Sequence, residues 1–202
     1  MIAPALYPLN ASLPAPVPSQ ELRDRLATRR SAAAQALTAP GPTEAELDQI
    51  LTLAARTPDH GKLFPWRFVV LGPVTRAEIA EKLAALAENL DKPAKAQAVL
   101  AKLTAAPVTV LVVSAPVPDA KPIWEQQLSA GAVCMNLEHA AGAFGYSSSW
   151  ITDWYSYDPQ AVALFGLTEG ETVAGFIHIG TLNEPALERP RPDMAAKVTR
   201  LP

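Results

Sequence analysis

The segment Arg29-Arg30-Ser31 brings together two guanidinium groups and a hydroxyl, next to a helix that is expected to begin at Gln20. Arginine presents planar, paired N–H donors that match the oxygens of a phosphate monoester. The segment therefore indicates a phosphate site. The alternative is a solvated helix end, where arginines complement the helix dipole. Taken alone, the segment favours this alternative.

A second candidate is the loop that carries His60, one of three histidines in the chain. Pro58 and Pro65 disfavour helical geometry in the residues before them, so a helix should end near Arg56 and a strand should begin near Trp66. A polar loop between a helix and a buried strand is a common place for a ligand site. It could equally be a solvated connection whose Trp66 fills the core.

Several familiar kinds of site are excluded by pattern. No Gly-x-Gly-x-x-Gly sequence, Walker loop, metal-ligand spacing or Gly-x-Ser-x-Gly elbow occurs. Cys134 lies among apolar residues in the middle of a predicted helix, which favours a packing role. His178 lies inside a predicted strand and is interpreted as a core or interface histidine. No metal site and no catalytic acid–base pair are predicted.

The pattern of the chain predicts helices that alternate irregularly with about four strands. Helix starts are predicted at Ser19 and at two capping boxes, Thr43–Glu46 and Thr75–Glu78. The longest predicted helix, from about Pro122 to Phe144, is apolar on every face, which is typical of a helix buried in the middle of a fold. The predicted strands are Trp66–Leu71, Val108–Val113, Ser147–Ile151 and Val173–Ile179. These elements predict an α+β fold with a central sheet between helical layers.

Composition narrows the range of functions. Among the 202 residues 49% are hydrophobic and 18% are charged, and the net charge is −3. No basic field for nucleic acid and no apolar run of membrane length is present, so neither partner is expected. The single cysteine fits a reducing, cytoplasmic location. The low charge fraction suggests that part of the surface is buried against another chain.

The distribution of prolines and of predicted helices and strands divides the chain into three regions. Residues 1–18 carry five prolines and are expected to form a flexible arm. Residues 19–182 should form one folded domain, and residues 183–202 a tail rich in proline and arginine.

A colinear set of short motifs connects these features. In chain order they are Arg29-Arg30-Ser31, Arg56-Thr57-Pro58-Asp59-His60, Pro65-Trp66, Trp124-Glu125-Gln126-Gln127, Ser129-Ala130-Gly131, Gly145, Trp150 and Phe176-Ile177-His178-Ile179-Gly180-Thr181. Over roughly residues 20–182, this order and spacing resembles the nitroreductase family of FMN-dependent oxidoreductases, most closely its small YdjA-like branch.

The resemblance implies a nitroreductase-like fold with a mainly antiparallel central sheet and a long buried helix. It also implies a homodimer with FMN at the interface, reduced by NAD(P)H and reoxidised by a nitroaromatic, quinone or similar acceptor in a ping-pong sequence. By position, residues Arg29, Arg30 and Ser31 match the segment that holds the phosphate and ribityl end of FMN. Arg56 and His60 match positions that reach the same flavin from the partner subunit. Ser149, Trp150 and Ile151 match the segment that lies along the isoalloxazine ring. Gly180 matches a glycine that lets the backbone approach the cofactor.

Four residues at three places in the chain depart from the family pattern. Ala33 and its neighbour Ala34 replace a further basic residue, Phe64 replaces a frequent glutamine, and Ile151 replaces an arginine of the YdjA-like branch. These departures leave an alternative function open, a flavin-binding carrier or sensor without efficient NAD(P)H turnover. A cofactor-free serine hydrolase has no motif in its favour.

Overall fold

Five strands form one sheet in this computed structural model, which describes residues 7–202. The strands are β1 (Leu37–Thr38), β2 (Trp66–Leu71), β3 (Val108–Ser114), β4 (Ser147–Ile151) and β5 (Thr172–Leu182). β2 pairs with β3, β3 pairs with β5, and β5 also pairs with β4 and β1, in every case antiparallel. The predicted α+β fold with an antiparallel central sheet is confirmed.

Helices cover both faces of this sheet. They are α1 (Gln20–Thr28), α2 (Glu44–Ala54), α3 (Pro73–Asn89), α4 (Ala94–Ala98), α5 (Ala101–Ala105), α6 (Ile123–Ala143) and α7 (Pro159–Ala163). Side chains alternate along β3, so Val110 and Val112 pack with α2 and α6 while Leu111 and Val113 pack with α3 and α7. The sheet is buried on both sides, and this explains why β3 is a continuous apolar run.

Helix α6 lies at the centre of the fold, within one residue of its predicted bounds. Val133, Leu137 and Ala141 are fully buried on the side that faces α2 and the sheet. The opposite side is not covered by the described chain, since Trp124 is 66% exposed and Leu128 is 54% exposed. The helix therefore leaves one apolar side open to a partner.

The helix starts show which local sequence signals were sufficient to predict where a helix begins. Ser19 caps α1 by accepting a hydrogen bond from the Leu22 amide, and Thr43 and Glu46 form the predicted capping box of α2. The box predicted at Thr75 is wrong, because α3 begins at Pro73 and Thr75 lies inside its first turn. Proline has no amide hydrogen and a helical φ, so it suits a first helical position without any side-chain cap.

The ends of the chain surround this domain. The residues of the predicted arm that the structure describes, 7–18, contain a single turn and no helix or strand, and residues 1–6 lie outside the described part. Residues 183–202 also lack regular elements, but they return to the end of α1. The division of the chain into arm, domain and tail stays a prediction. Within residues 7–202, no helix is both long enough and apolar enough to cross a membrane.

Candidate functional site

The Arg29–Ser31 segment follows directly after α1, whose C-terminal boundary residue is Arg29. The next residue anchors it to the sheet, because the Ala32 amide donates to the Ser148 carbonyl of β4 at 2.9 Å. Ala32 is buried in a small cluster with Leu37. The two arginines are thereby held beside β4, which the sequence also predicted as part of a site.

Arg29 faces a buried carboxylate that the sequence analysis did not identify. Its Nη1 lies 3.8 Å from Oε2 of Glu138 and 3.4 Å from Oγ of Ser31. Glu138 is 5% exposed on α6 and accepts a hydrogen bond from Ser148 Oγ at 3.2 Å. The only sequence signal was that Glu138 is the one acidic residue in the second half of a mainly apolar helix. Glu138 links α6, β4 and Arg29 at one point.

Arg30 points towards the C-terminal tail. Its guanidinium forms an ion pair with Glu188 and donates from Nη2 to the Arg189 carbonyl at 3.1 Å. Its Nε is buried and has no hydrogen-bond partner among the described residues. Burial, and then the charges of Arg191, Arg189 and Arg29, lower the pKa of Arg30. The segment thus belongs to a concentration of positive charge that retains an unused buried donor.

A cavity of about 290 Å³ opens between this segment, α6 and the tail. Its lining comprises Arg25, Thr28, Arg29, Arg30, Glu138, His139, Gly142, Tyr146, Ser147, Ser148, Leu182, Glu184, Pro185 and Ala186. This volume is just below the range for ligand pockets, about 300–1,000 Å³. The cavity suits the anionic end of a ligand better than the whole of a large one.

The loop that carries Arg56 and His60 is held by three side chains of α6. Asn136 donates to Thr57 Oγ1 at 2.7 Å, and Ser129 donates to the Pro58 carbonyl at 2.9 Å. Glu125 Oε2 lies 2.6 Å from Nδ1 of His60. The sequence analysis missed these roles, although positions 125, 129 and 136 are spaced to share one side of a helix.

His60 and Arg29 lie towards opposite ends of α6. His60 contacts Glu125 near the start of the helix and Arg29 contacts Glu138 near its end. Thirteen residues separate the two glutamates, so His60 and Arg29 are roughly 20 Å apart along the helix axis. Arg56 lies further along α6, because its carbonyl accepts a hydrogen bond from Asn136 at 3.4 Å. One chain does not bring His60 to Arg29.

The predicted ring-contacting residues divide between the two faces of the sheet. Trp150 packs on the α2–α6 side, where its Nε1 donates to the Ala174 carbonyl at 3.1 Å across Gly175. Ile151 packs on the opposite side with α3 and α7. Ser149 is buried opposite His178 in β5. Adjacent strand residues face opposite sides, so within one chain Trp150 and Ile151 do not form one wall.

Gly180 lies where two other segments approach the last strand. A Cβ on this residue would lie 2.8 Å from Cδ of Pro107 and 2.9 Å from the Thr38 carbonyl oxygen. The absence of a side chain is therefore required by packing within the chain. Its predicted contact with a cofactor stays a prediction.

Of the other departures from the family pattern, Ala33 and Phe64 lie on the surface, whereas Ala34 is buried. Ala33 is exposed, directly after the buried Ala32. Phe64 is 64% exposed and has a φ of 49°, in the left-handed region that most residues avoid. Its ring meets Trp66 edge-on with centroids 6.4 Å apart. Phe64 therefore places an exposed aromatic group at the end of the His60 loop.

Two titratable groups that could have been catalytic lie in the core. Burial, with a smaller contribution from Glu138, raises the pKa of the Cys134 thiol to about 12. Burial also lowers the pKa of His178 to about 4, and its Nδ1 lies 2.9 Å from Thr109 Oγ1. His178 is therefore neutral at pH 7, as expected for a core histidine. Within residues 7–202, no three His, Cys, Asp or Glu side chains are placed to share a metal ion.

Comparison with known proteins identifies the family. The model of the Nitroreductase family matches residues 26–181. The chain belongs to the nitroreductase family. The match begins within α1, just before the Arg29–Ser31 segment, and ends at Thr181 in β5, so it contains both candidate groups. The resemblance inferred from the motifs is confirmed at the level of the family.

Individual relatives extend the comparison. The Escherichia coli (strain K12) protein named "Putative NAD(P)H nitroreductase YdjA" is 32% identical over 158 residues, which cover 77% of this chain and 85% of the relative. A nitroreductase-like family protein from Bacillus cereus has a TM-score of 0.79 at 20% identity, covering 93% of this chain and 99% of that one. A nitroreductase with bound FMN from Bacteroides fragilis NCTC 9343 has a TM-score of 0.71 at 22% identity, covering 91% and 100%. At these identities the two structures show the fold alone.

Proposed function

We propose that this protein is an FMN-dependent oxidoreductase that uses NAD(P)H to reduce electron-poor acceptors such as nitroaromatics or quinones. The observation that carries the proposal is the arginine cluster at Arg29 and Arg30, fixed beside β4 with a buried, unused donor on Arg30. Family membership and a relative named as an NAD(P)H nitroreductase support it. A single cysteine fits the cytoplasmic location predicted from the sequence.

The residues present fit the anionic end of FMN. A phosphate needs several hydrogen-bond donors, and the guanidinium groups of Arg29 and Arg30 and the hydroxyl of Ser31 offer them next to a cavity of about 290 Å³. When bound, FMN supplies the hydride chemistry itself. The chain must then hold the cofactor, orient it and limit access of water. NAD(P)H and the acceptor would use the same pocket in turn, in a ping-pong sequence.

We also propose that the working form is a homodimer. The uncovered side of α6 carries Trp124, Leu128, Ala132 and Met135 at helical spacing, and the first two are more than half exposed. A large apolar stripe on a buried helix is typical of an interface. A two-fold axis would place this stripe against a copy of itself.

The dimer would also complete the site. Two copies of α6 related by a perpendicular two-fold axis run antiparallel, so the start of one helix lies beside the end of the other. The partner's Arg56 and His60 would then approach Arg29, Arg30 and Ser31. The separation of roughly 20 Å within one chain is the observation that favours a shared site.

A flavin-binding carrier or sensor is the second candidate. The observations in its favour are the exposed Ala33, where a basic residue is absent, and Ile151, whose side chain packs into the core instead of towards α6. Neither change removes Arg29, Arg30 or Ser31 from the proposed phosphate site. Both could alter how NAD(P)H or an acceptor approaches the flavin. This candidate differs from the first in predicting no efficient turnover with NAD(P)H.

One experiment separates these functions. The purified protein, with added FMN, is examined for yellow colour, and NADH or NADPH is then added without oxygen. Bleaching of the colour supports the oxidoreductase, while persistent colour supports the carrier or sensor. A colourless protein that binds no added FMN contradicts both.

Glu125 should act as a positioning residue for His60, because the two side chains are 2.6 Å apart. We expect Glu125→Ala to weaken FMN binding about fivefold, the effect of losing one hydrogen bond worth about 1 kcal/mol. Glu125→Gln, which can still accept from His60, should remain within about twofold of wild type. The control is Gln127→Ala, an exposed neighbour on α6. Equal affinities for wild type and Glu125→Ala would contradict this role.

Cys134 should be dispensable for turnover. Its thiol is fully buried and its pKa is raised to about 12, so almost no thiolate exists at pH 7. We expect Cys134→Ala and Cys134→Ser to keep turnover per bound flavin close to wild type. A collapse of turnover with flavin content and circular dichroism unchanged would reveal a thiol step.

A further inference from the structure

The C-terminal tail is attached to the Arg29–Ser31 segment by a small set of polar contacts. Arg191 donates from Nη2 to the Ala27 carbonyl at the end of α1, at 2.8 Å. Arg30 donates to the Arg189 carbonyl at 3.1 Å and forms an ion pair with Glu188. The tail therefore returns to the proposed phosphate site although it has no regular structure.

Glu188 is placed where an anion would be expected. Its carboxylate pairs with Arg30 and lies 3.3 Å from Nη2 of Arg191, so two guanidinium groups share it. The Glu188 side chain is 68% exposed, whereas the Arg30 side chain is only 16% exposed. An exposed carboxylate thus neutralises a largely covered arginine.

Arg29, in the same site, differs from Arg30 in that its carboxylate partner is buried. Its carboxylate partner, Glu138, is 3% exposed at the side chain, belongs to α6 and is also bound by Ser148. Glu138 cannot leave without disturbing the core. Glu188 can leave, because only side-chain and tail contacts hold it.

We propose that Glu188 is a built-in counter-ion for the phosphate-binding arginines, and that the cofactor phosphate displaces it and releases the tail from Arg30. This inference rests on the proposed function. Arg30 exchanges one anionic partner for another, and its unused buried Nε gains an acceptor only from the incoming phosphate. Arg191 is freed in the same exchange.

This exchange makes Glu188 a determinant of specificity. A dianionic phosphate competes well against one carboxylate for two arginines, because charge-assisted bonds strengthen with the charge of the acceptor. A neutral flavin such as riboflavin carries nothing that could displace Glu188. The tail should therefore set the affinity for FMN and have no effect on the affinity for riboflavin.

The test is the variant Glu188→Gln, with Glu184→Gln as the matched control. Glu184 belongs to the same tail and lines the same cavity, but it forms no ion pair among the described residues. Binding of FMN and of riboflavin is measured by quenching of flavin fluorescence. Glu188→Gln should bind FMN about three- to tenfold more tightly, since an ion pair whose carboxylate is exposed to solvent is worth up to about fivefold and Glu188 forms two of them. The control should match wild type, and riboflavin affinity should be equal in all three proteins.

Salt provides a second readout. The gain in FMN affinity should shrink as ionic strength rises towards 1 M, where the screening length falls to about 3 Å. Circular dichroism and melting temperature confirm that the variants fold alike. Glu188 is exposed and outside the helices and strands, so its substitution should leave the circular dichroism unchanged and lower the melting temperature by no more than about 2–4 °C.

Several results would overturn the inference. An FMN affinity in Glu188→Gln that equals wild type would mean that Glu188 is not displaced, and a lower affinity would mean that it positions the arginines. An equal gain for riboflavin would show that the phosphate is not involved. If wild type binds no flavin, the proposed function fails. The inference then still requires tighter binding of inorganic phosphate to Glu188→Gln, measured by phosphorus NMR, and fails without it.

Discussion

Replacing Arg29 by alanine should weaken FMN binding by about 10- to 150-fold. A hydrogen bond to a charged group contributes about 1.5–3 kcal/mol, and each 1.4 kcal/mol corresponds to a factor of ten. Arg29 is the residue to change first, because it lies at the end of α1 with its guanidinium close to Ser31 and Glu138. The measurement is a fluorescence titration with FMN.

Two further variants make this result interpretable. Arg23→Ala removes an exposed arginine of the same helix and should leave FMN affinity unchanged. Arg29→Lys keeps a charge near the buried Glu138 but loses the planar pair of donors, so its affinity should lie between wild type and Arg29→Ala. An affinity of Arg29→Ala within error of wild type would remove Arg29 from the phosphate site.

Mixing two defective proteins should restore flavin binding if the site is shared between subunits. In a heterodimer of an Arg29→Ala subunit and a His60→Ala subunit, one site takes Arg29 and His60 from unmutated positions and the other site lacks both. The roughly 20 Å between these residues along α6 of one chain is the physical reason to expect this. Heterodimers isolated with two affinity tags should therefore bind one FMN with wild-type affinity.

The parent homodimers provide the control, because each contains two singly damaged sites. Light scattering should show dimers, and FMN should stabilise them, since a ligand that contacts both chains favours their association. A monomer with full FMN occupancy, or heterodimers with no more flavin than either parent, would contradict the shared site.

Much of the fold could be predicted because its signals are local. The caps at Ser19 and Thr43 act within three or four residues, and the apolar run of β3 needs no distant partner to be recognised. The one wrong helix start illustrates the limit of such signals. Thr75 and Glu78 had the right spacing for a cap, but Pro73 can begin a helix two residues earlier without one.

Less of the candidate site could be predicted, since its geometry depends on contacts between distant segments. The motifs identified Arg29, Arg30, Arg56 and His60, but not the side chains that hold them. Glu125 was part of a quoted motif but had no assigned role, and Glu138 was visible only as an acidic residue in a mainly apolar helix. Their roles depend on which loop and which strand pack against each end of α6.

The sequence by itself determined the element types, the long apolar helix and, through ordered motifs, the family, because these depend on periodicity and on residues near one another in the chain. The tertiary structure decided the rest. It placed His60 and Arg29 towards opposite ends of α6, put Trp150 and Ile151 on opposite faces of the sheet, and brought Glu188 to Arg30 from the far end of the chain. Local spacing carries no information on such contacts, because they form only when the sheet and its helices pack together.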